Sequence, residues 1–248
     1  MGQFVELMAA DGTAIRAWAA EPDGPVRGAV VVVQEIFGVN AHIRAVTDRF
    51  AARGFVAIAP DLFARVEPDV ELGYSAADVT DGMRLKTAAD ALPGDGVMQD
   101  IRAAAQWAHQ RTGGKVGVVG FCWGGLLTWR AAEQVEDIAA AVCYYGGGMT
   151  VQPDIARTPR VPVLAHFSAR DAHISVPSVQ AFSHSAMRTP KCRCMCMRQT
   201  TGLTVTSVPV LTKAARYRPK TGHWNFSTSI CAPANRKQRT PAQRVAFQ

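Results

Sequence analysis

The stretch that most constrains this chain is residues 116–131, VGVVGFCWGGLLTWRA. A β-branched run enters Gly120-Phe121-Cys122-Trp123-Gly124, and a helical pattern leaves it. Continuous apolar β-branched sequence fits a strand buried on both faces of a parallel sheet. The spacing is that of the G-x-S-x-G nucleophile elbow, with cysteine in the serine position. The turn brings strand and helix backbone together, so the flanking positions need residues without a β-carbon. The helix N-terminus behind Cys122 is expected to lower the thiol pKa and to offer backbone N–H donors to an oxyanion, that of Trp123 among them. The plainer reading is a small cysteine buried ahead of a glycine-rich helix start. Strand, two glycines and helix in this order favour the nucleophile.

Around the elbow, strand and helix signals alternate. Residues 28–34 (GAVVVVQ), 55–60 (FVAIAP), 115–120, 138–144 and 161–167 read as buried strands. Residues 41–53, ending at Gly54, and residues 87–91, 96–110, 124–133 and 176–181 read as helical. This order predicts an α/β fold, a mostly parallel sheet with helices on both faces.

Charge divides the chain. Residues 184–248 hold 12 of the 27 Lys and Arg and none of the 20 Asp and Glu, so the tail is +12 and the remainder −5. We therefore expect a domain at 1–183 and a basic, acid-free, disordered tail at 184–248. Cys192, Cys194 and Cys196 lie in that tail. Their C-x-C-x-C spacing lacks the paired CxxC form of zinc sites, and no metal is expected. The N-terminus carries Glu6 and no basic-then-apolar leader, and no run is long enough to span a bilayer. A cytoplasmic protein without membrane association is expected.

Several segments together resemble the dienelactone hydrolase (carboxymethylenebutenolidase) family of α/β-hydrolases. Gln34-Glu35-Ile36-Phe37-Gly38-Val39-Asn40 is similar to the family's QEIFGVN segment, and Gly120 to Gly125 to its GFCxGG elbow. Ala59-Pro60-Asp61-Leu62-Phe63 and Tyr144-Tyr145-Gly146 resemble its APDL and YYG segments, and Asp171 precedes Ala172-His173-Ile174 at its acid loop. The resemblance covers about residues 1–183. It implies that Cys122 attacks a lactone or ester carbonyl, that Asp171 orients a histidine base, and that Glu35 sits near the thiol and governs its ionisation. The N–H of Ile36 would be the second oxyanion donor. No cofactor is implied, and the partner is a small-molecule ester or lactone handled by a monomer. Arg84 is a candidate for binding the substrate carboxylate, a solvated helix arginine being the alternative. His166 reads as a core histidine, and His42 and His109 as helix-surface residues.

The family's D-H-G-F segment, which carries the histidine, is absent. His173 is too close to Asp171 to partner it, and His223 follows glycine in Thr221-Gly222-His223-Trp224. Joining the third base of each codon to the first two of the next gives another reading of the tail. Met195-Cys196 then encodes valine and Trp224-Asn225 glutamate without choice, Thr200-Thr201 admits histidine, and residues 199–208 can read D-H-G-F-N-C-D-Q-R. The tail thus has the composition and coding pattern of an out-of-frame translation, with the last strand and helix missing or disrupted. The expected function is opening of a dienelactone to maleylacetate, or hydrolysis of another small ester. A reading of a different class is a non-catalytic α/β domain whose tail binds polyanions through charge alone, with no nucleic-acid motif.

Overall fold

The computed structural model describes residues 1–186 and, beyond them, the backbone of three strands. The main sheet has eight strands: β1 (Gln3–Met8), β2 (Ala14–Ala20), β3 (Gly28–Val33), β4 (Phe55–Pro60), β5 (Val116–Phe121), β6 (Ile138–Tyr144), β7 (Val163–Ser168) and β8 (Cys192–Met197). Their order is β1-β2-β4-β3-β5-β6-β7-β8. Pairing is parallel from β4 to β8, and β1 and β2 run antiparallel at the other edge. A small hairpin pairs β9 (Ala215–Arg218) with β10 (His223–Phe226).

The helices are α1 (Ala41–Ala51), α2 (Ala76–Asp90), α3 (Met98–Thr112), α4 (Trp123–Gln134) and α5 (Val176–Ala186). Every residue of β3, β4 and β5 is buried, as their unbroken apolar sequences require. One face of the sheet packs on Ile101 and Ala104 of α3, Leu127 and Trp129 of α4 and Phe182 of α5. The other packs on Ile43, Val46 and Phe50 of α1. Asn40 starts α1 by accepting the N–H of Ile43 on its side chain, and Gly54, at φ 89°, turns the chain into β4.

This is the α/β architecture that the strand–helix alternation predicts, with three differences. The β1–β2 hairpin is additional. Helix α2 begins at Ala76 rather than at residue 87, launched by a capping box between Ser75 and Asp78. Its apolar periodicity is weak because only Gly82, Leu85 and Ala89 are buried. Third, β8 lies inside the segment expected to continue no strand. A parallel strand is held mainly through its backbone, and the open edge of β7 supplies a full ladder from Val163↔Cys192 to Ser168↔Met197.

The topology fixes where chemistry can sit. From β3 the chain crosses to β4 on one side, then returns to β5 on the other, so β3 and β5 flank the switch point of the sheet. Their C-terminal ends open the crevice where open α/β sheets bind ligands. Glu35 and Ile36 follow β3, and Cys122 follows β5.

Candidate active site

Cys122 stands between β5 and α4 at φ 53° and ψ −120°, a conformation that a residue with a side chain rarely adopts. The turn is held by its N–H donating to the Tyr144 carbonyl (3.0 Å) and by its carbonyl accepting from Gly125 (2.9 Å). A β-carbon on Gly120 would collide with the Gly124 carbonyl, and one on Gly124 with the Gln34 carbonyl. The glycines of the motif are thus where strand, helix and the end of β3 press together. Beneath the turn, Phe121, Tyr144 and His166 share one register across β5, β6 and β7. Their rings stack at 5.1 Å and 4.7 Å.

The thiol is half-buried and free. It is pushed up to about 11, against the expectation from the helix N-terminus alone. Burial is the main cause, and the Glu35 carboxylate adds to it. The backbone N–H of Trp123, which donates to the thiol, acts in the opposite direction. Desolvating an anion beside another carboxylate outweighs one hydrogen bond and a helix terminus. Asp171 raises the thiol further, and Lys86 on α2 lowers it.

Glu35 is largely enclosed. Among the described residues its carboxylate accepts two long hydrogen bonds, from Tyr145 OH (3.4 Å) and Tyr74 OH (3.4 Å). Burial holds its pKa above the usual range, and the Tyr145 hydroxyl rises with it. Gln34, fully buried, fixes the preceding residue by accepting the N–H of Leu62 at 3.1 Å.

Asp171 follows β7. Its Oδ1 accepts the backbone N–H groups of His173 (2.8 Å) and Ile174 (3.0 Å), which locks the loop. His173 itself is exposed. Among the described residues, no histidine side chain hydrogen-bonds to Asp171 or Cys122. His166 is buried in β7 with neither ring nitrogen partnered among the described residues, and burial lowers its pKa to about 4. The Nδ1 of His109 lies 2.9 Å from the Gly114 carbonyl. Residues 199–201, where the shifted reading admits D-H-G, lie outside the described residues, as do the side chains of Cys192, Cys194, Cys196 and His223.

The structure brings Cys122, Trp123, Glu35 and Asp171 into one electrostatic neighbourhood, with Ile36 buried beside α2. Arg84 is engaged by other carboxylates. Its exposed guanidinium pairs with Glu67 (3.0 Å) and Asp81 (3.2 Å), while Gly82 and Leu85 form the buried side of α2. Tyr74, Lys86 and Asp90 join the site without a sequence signal, and Tyr145 with the YYG resemblance but no role assigned from it. Tyr145 depends on a positive φ of 39° and Lys86 on its turn of a weakly patterned helix. Among the described residues, no group of three His, Cys, Asp or Glu side chains is placed to hold a metal ion. No helix of the described residues is long and apolar enough to cross a membrane.

A strained cysteine on a strand–turn–helix elbow, at the switch point of a mostly parallel sheet, defines an α/β-hydrolase-type fold with a thiol at the tip of the elbow. The sequence model of the dienelactone hydrolase family matches residues 15–193, and the chain belongs to that family. It is 33% identical over 181 residues to the "carboxymethylenebutenolidase" of Pseudomonas putida, covering 71% of this chain and 74% of that protein. It is 37% identical over 183 residues to a "putative carboxymethylenebutenolidase" of Escherichia coli K12, covering 68% of this chain and 65% of the relative. The chain thus spans just under two thirds of that relative, as it does of a Synechocystis relative of the same name, at 64%. A Klebsiella pneumoniae structure described as a "putative dienelactone hydrolase" superposes with a TM-score of 0.67 at 28% identity, covering 90% of this chain and 94% of that one.

Proposed function

We propose that the protein hydrolyses a small carboxylic ester or lactone through Cys122, with a dienelactone opened to maleylacetate as the reaction that the named relatives suggest. The observation that carries this reading is the strained backbone of Cys122 at the switch point, with both flanking glycines filled by neighbouring backbone. The thiolate attacks the carbonyl carbon, and the resulting oxyanion is received by the N–H groups of Trp123 and Ile36. The ring C–O bond breaks, and the leaving oxygen departs as an enolate that takes a proton and ketonises. Water then attacks the thioester, which releases the carboxylate and restores the thiol. A thiol held near 11 is largely protonated at neutral pH, which suppresses idle reactivity and makes the step depend on a base.

The base is the histidine that Asp171 would orient. We place it in the displaced reading, at the codon straddling Thr200 and Thr201, a few residues past the end of β8 at Met197. That position follows the C-terminal end of the strand beside β7, the edge of the sheet from which Asp171 also departs. The basic tail beyond residue 183 is then an out-of-frame product. Turnover of a dienelactone and of a p-nitrophenyl ester tests this in three chains: as written, frame-restored, and frame-restored with Cys122→Ala. The expected order is weak, strong and none. Equal activity of the first two would remove the base assignment, and unchanged activity of the third would remove the nucleophile. A chain inactive in all forms that binds DNA through residues 184–248, weakening with salt, would favour a polyanion-binding domain instead.

A further inference from the structure

We propose that helix α2 sets the geometry of the oxyanion hole, with Asp90 as the positioning residue that holds the Trp123 indole. This rests on Cys122 as the nucleophile but goes beyond it, since no residue of α2 touches the reacting atoms in the mechanism above.

Helix α2 meets both segments that carry the oxyanion donors. Near its middle, Gly82 packs against Ile36, and a β-carbon there would collide with the Ile36 carbonyl. Eight residues on, roughly 12 Å along the helix, Asp90 Oδ1 accepts the indole Nε1–H of Trp123 at 3.1 Å. Asp90 Oδ2 is held by Lys86 Nζ at 2.6 Å, one turn back. Trp123 is 1% exposed and stacks on Phe63 at 5.4 Å and 13°, so its ring has one seat. An indole N–H buried this deeply requires an acceptor. That acceptor comes from α2, not from the sheet or from α4. Trp123 is also the first residue of α4, whose backbone N–H points at the Cys122 sulfur. Fixing its side chain from outside therefore fixes the direction of that N–H, and a shift of about 1 Å at such a donor is costly to catalysis. The Lys86 ammonium balances the Asp90 carboxylate, so the tether adds no net anion to a site that already holds Glu35 and Asp171.

The test is the pH profile of Cys122 alkylation by iodoacetamide, located by peptide mass, over roughly pH 7 to 11, the range in which a raised thiol ionises. It needs no ester turnover, so failure of the hydrolase reading and failure of this one are separable. Asp90→Asn and Asp90→Ala remove the same charge, and only the first keeps an acceptor for the indole. Trp123→Phe keeps the ring and loses the N–H. We expect Asp90→Asn to label with wild-type kinetics to within about threefold. Asp90→Ala should label about tenfold more slowly than Asp90→Asn near pH 8, the effect of one unit in the thiol. Trp123→Phe should reproduce that loss against wild type, and the double variant should add nothing to it. Identical profiles for Asp90→Asn and Asp90→Ala, or additive losses in the double variant, overturn the proposal. Should labelling of buried Cys143 show that Asp90→Ala has unfolded, Trp123→Phe decides alone, and a wild-type profile there overturns it.

Discussion

Two regions of this molecule bury charge-bearing groups, and they do so in opposite ways. Under the β1–β2 edge, Arg65 donates to both oxygens of Asp100 (2.8–3.0 Å), to Asp11 (2.6 and 3.2 Å) and to Thr13 (3.1 Å). Asp100 is fully buried, and Arg65 spans both of its oxygens. At the elbow, among the described residues, Glu35 has only two tyrosine hydroxyls at 3.4 Å, Cys122 has one backbone N–H, and His166 has nothing on either ring nitrogen. A cluster bound by short charge-assisted hydrogen bonds holds the fold. An under-partnered one costs stability and keeps its groups poised to change charge. Depth of burial alone would not separate the two, and partner chemistry does.

That contrast can be broken or sharpened by experiment. Cys122→Ala should lower ester hydrolysis by the frame-restored chain roughly 10³-fold or more while leaving the urea midpoint in place. A large loss of stability would make the cysteine structural. Arg65→Met should do the reverse. It leaves Asp100 buried without its counter-charge, at a cost of about 3–5 kcal/mol by urea unfolding. A cost under about 1 kcal/mol would mean that the cluster behaves like a surface ion pair.

His166→Phe probes acid sensitivity. The imidazole's folded pKa, about 4, lies below the ordinary 6.5, so the unfolded chain binds the extra proton. Its contribution is complete above pH 6.5 and is lost as pH falls toward 4, on the order of 3 kcal/mol in all. The substitution should flatten stability across that window, and an unchanged slope would show that the imidazole is not buried as a neutral group. Glu35→Gln removes a carboxylate that disfavours the thiolate, so alkylation of Cys122 near pH 8 should quicken by up to about tenfold. It should also raise the thermal midpoint at neutral and higher pH. A buried carboxylate with a raised pKa costs nothing below the ordinary carboxylate range and its full amount once pH has risen through the raised pKa, so the gain should vanish in acid. Arg84→Ala, on the exposed side of α2, should change turnover less than about twofold and leave the urea midpoint where it is in the wild type. A marked rise in KM for an anionic substrate would return Arg84 to the site.

How much of this was legible varied with the physical source of each feature. Strands β3, β4 and β5 were readable because burial on both faces demands uninterrupted apolar residues. The elbow was readable because backbone crowding leaves glycine as the residue that fits at 120 and 124. Helix α2 was read short because it buries little and shows weak periodicity, although Ser75 and Asp78 announce its start. The direction of the Cys122 shift was misread. A helix N-terminus is visible in sequence, whereas the enclosure of the thiol and the neighbouring Glu35 carboxylate are not.

The sequence by itself determined the class of fold, the elbow that carries Cys122 and the family, because these rest on local patterns: period, glycine placement and the order of elements. It also exposed the break in composition, since residues 184–248 carry 12 Lys and Arg and no acid. Tertiary structure alone decided which distant residues meet. It set Tyr74 and Tyr145 on Glu35, the indole of Trp123 on Asp90, and the guanidinium of Arg65 between Asp11 and Asp100. Those pairs lie 33 to 110 residues apart, and no local rule links them. They exist because the sheet's order returns β5 to the side of β3 away from β4, and because a buried polar group must find its partner wherever packing has left one.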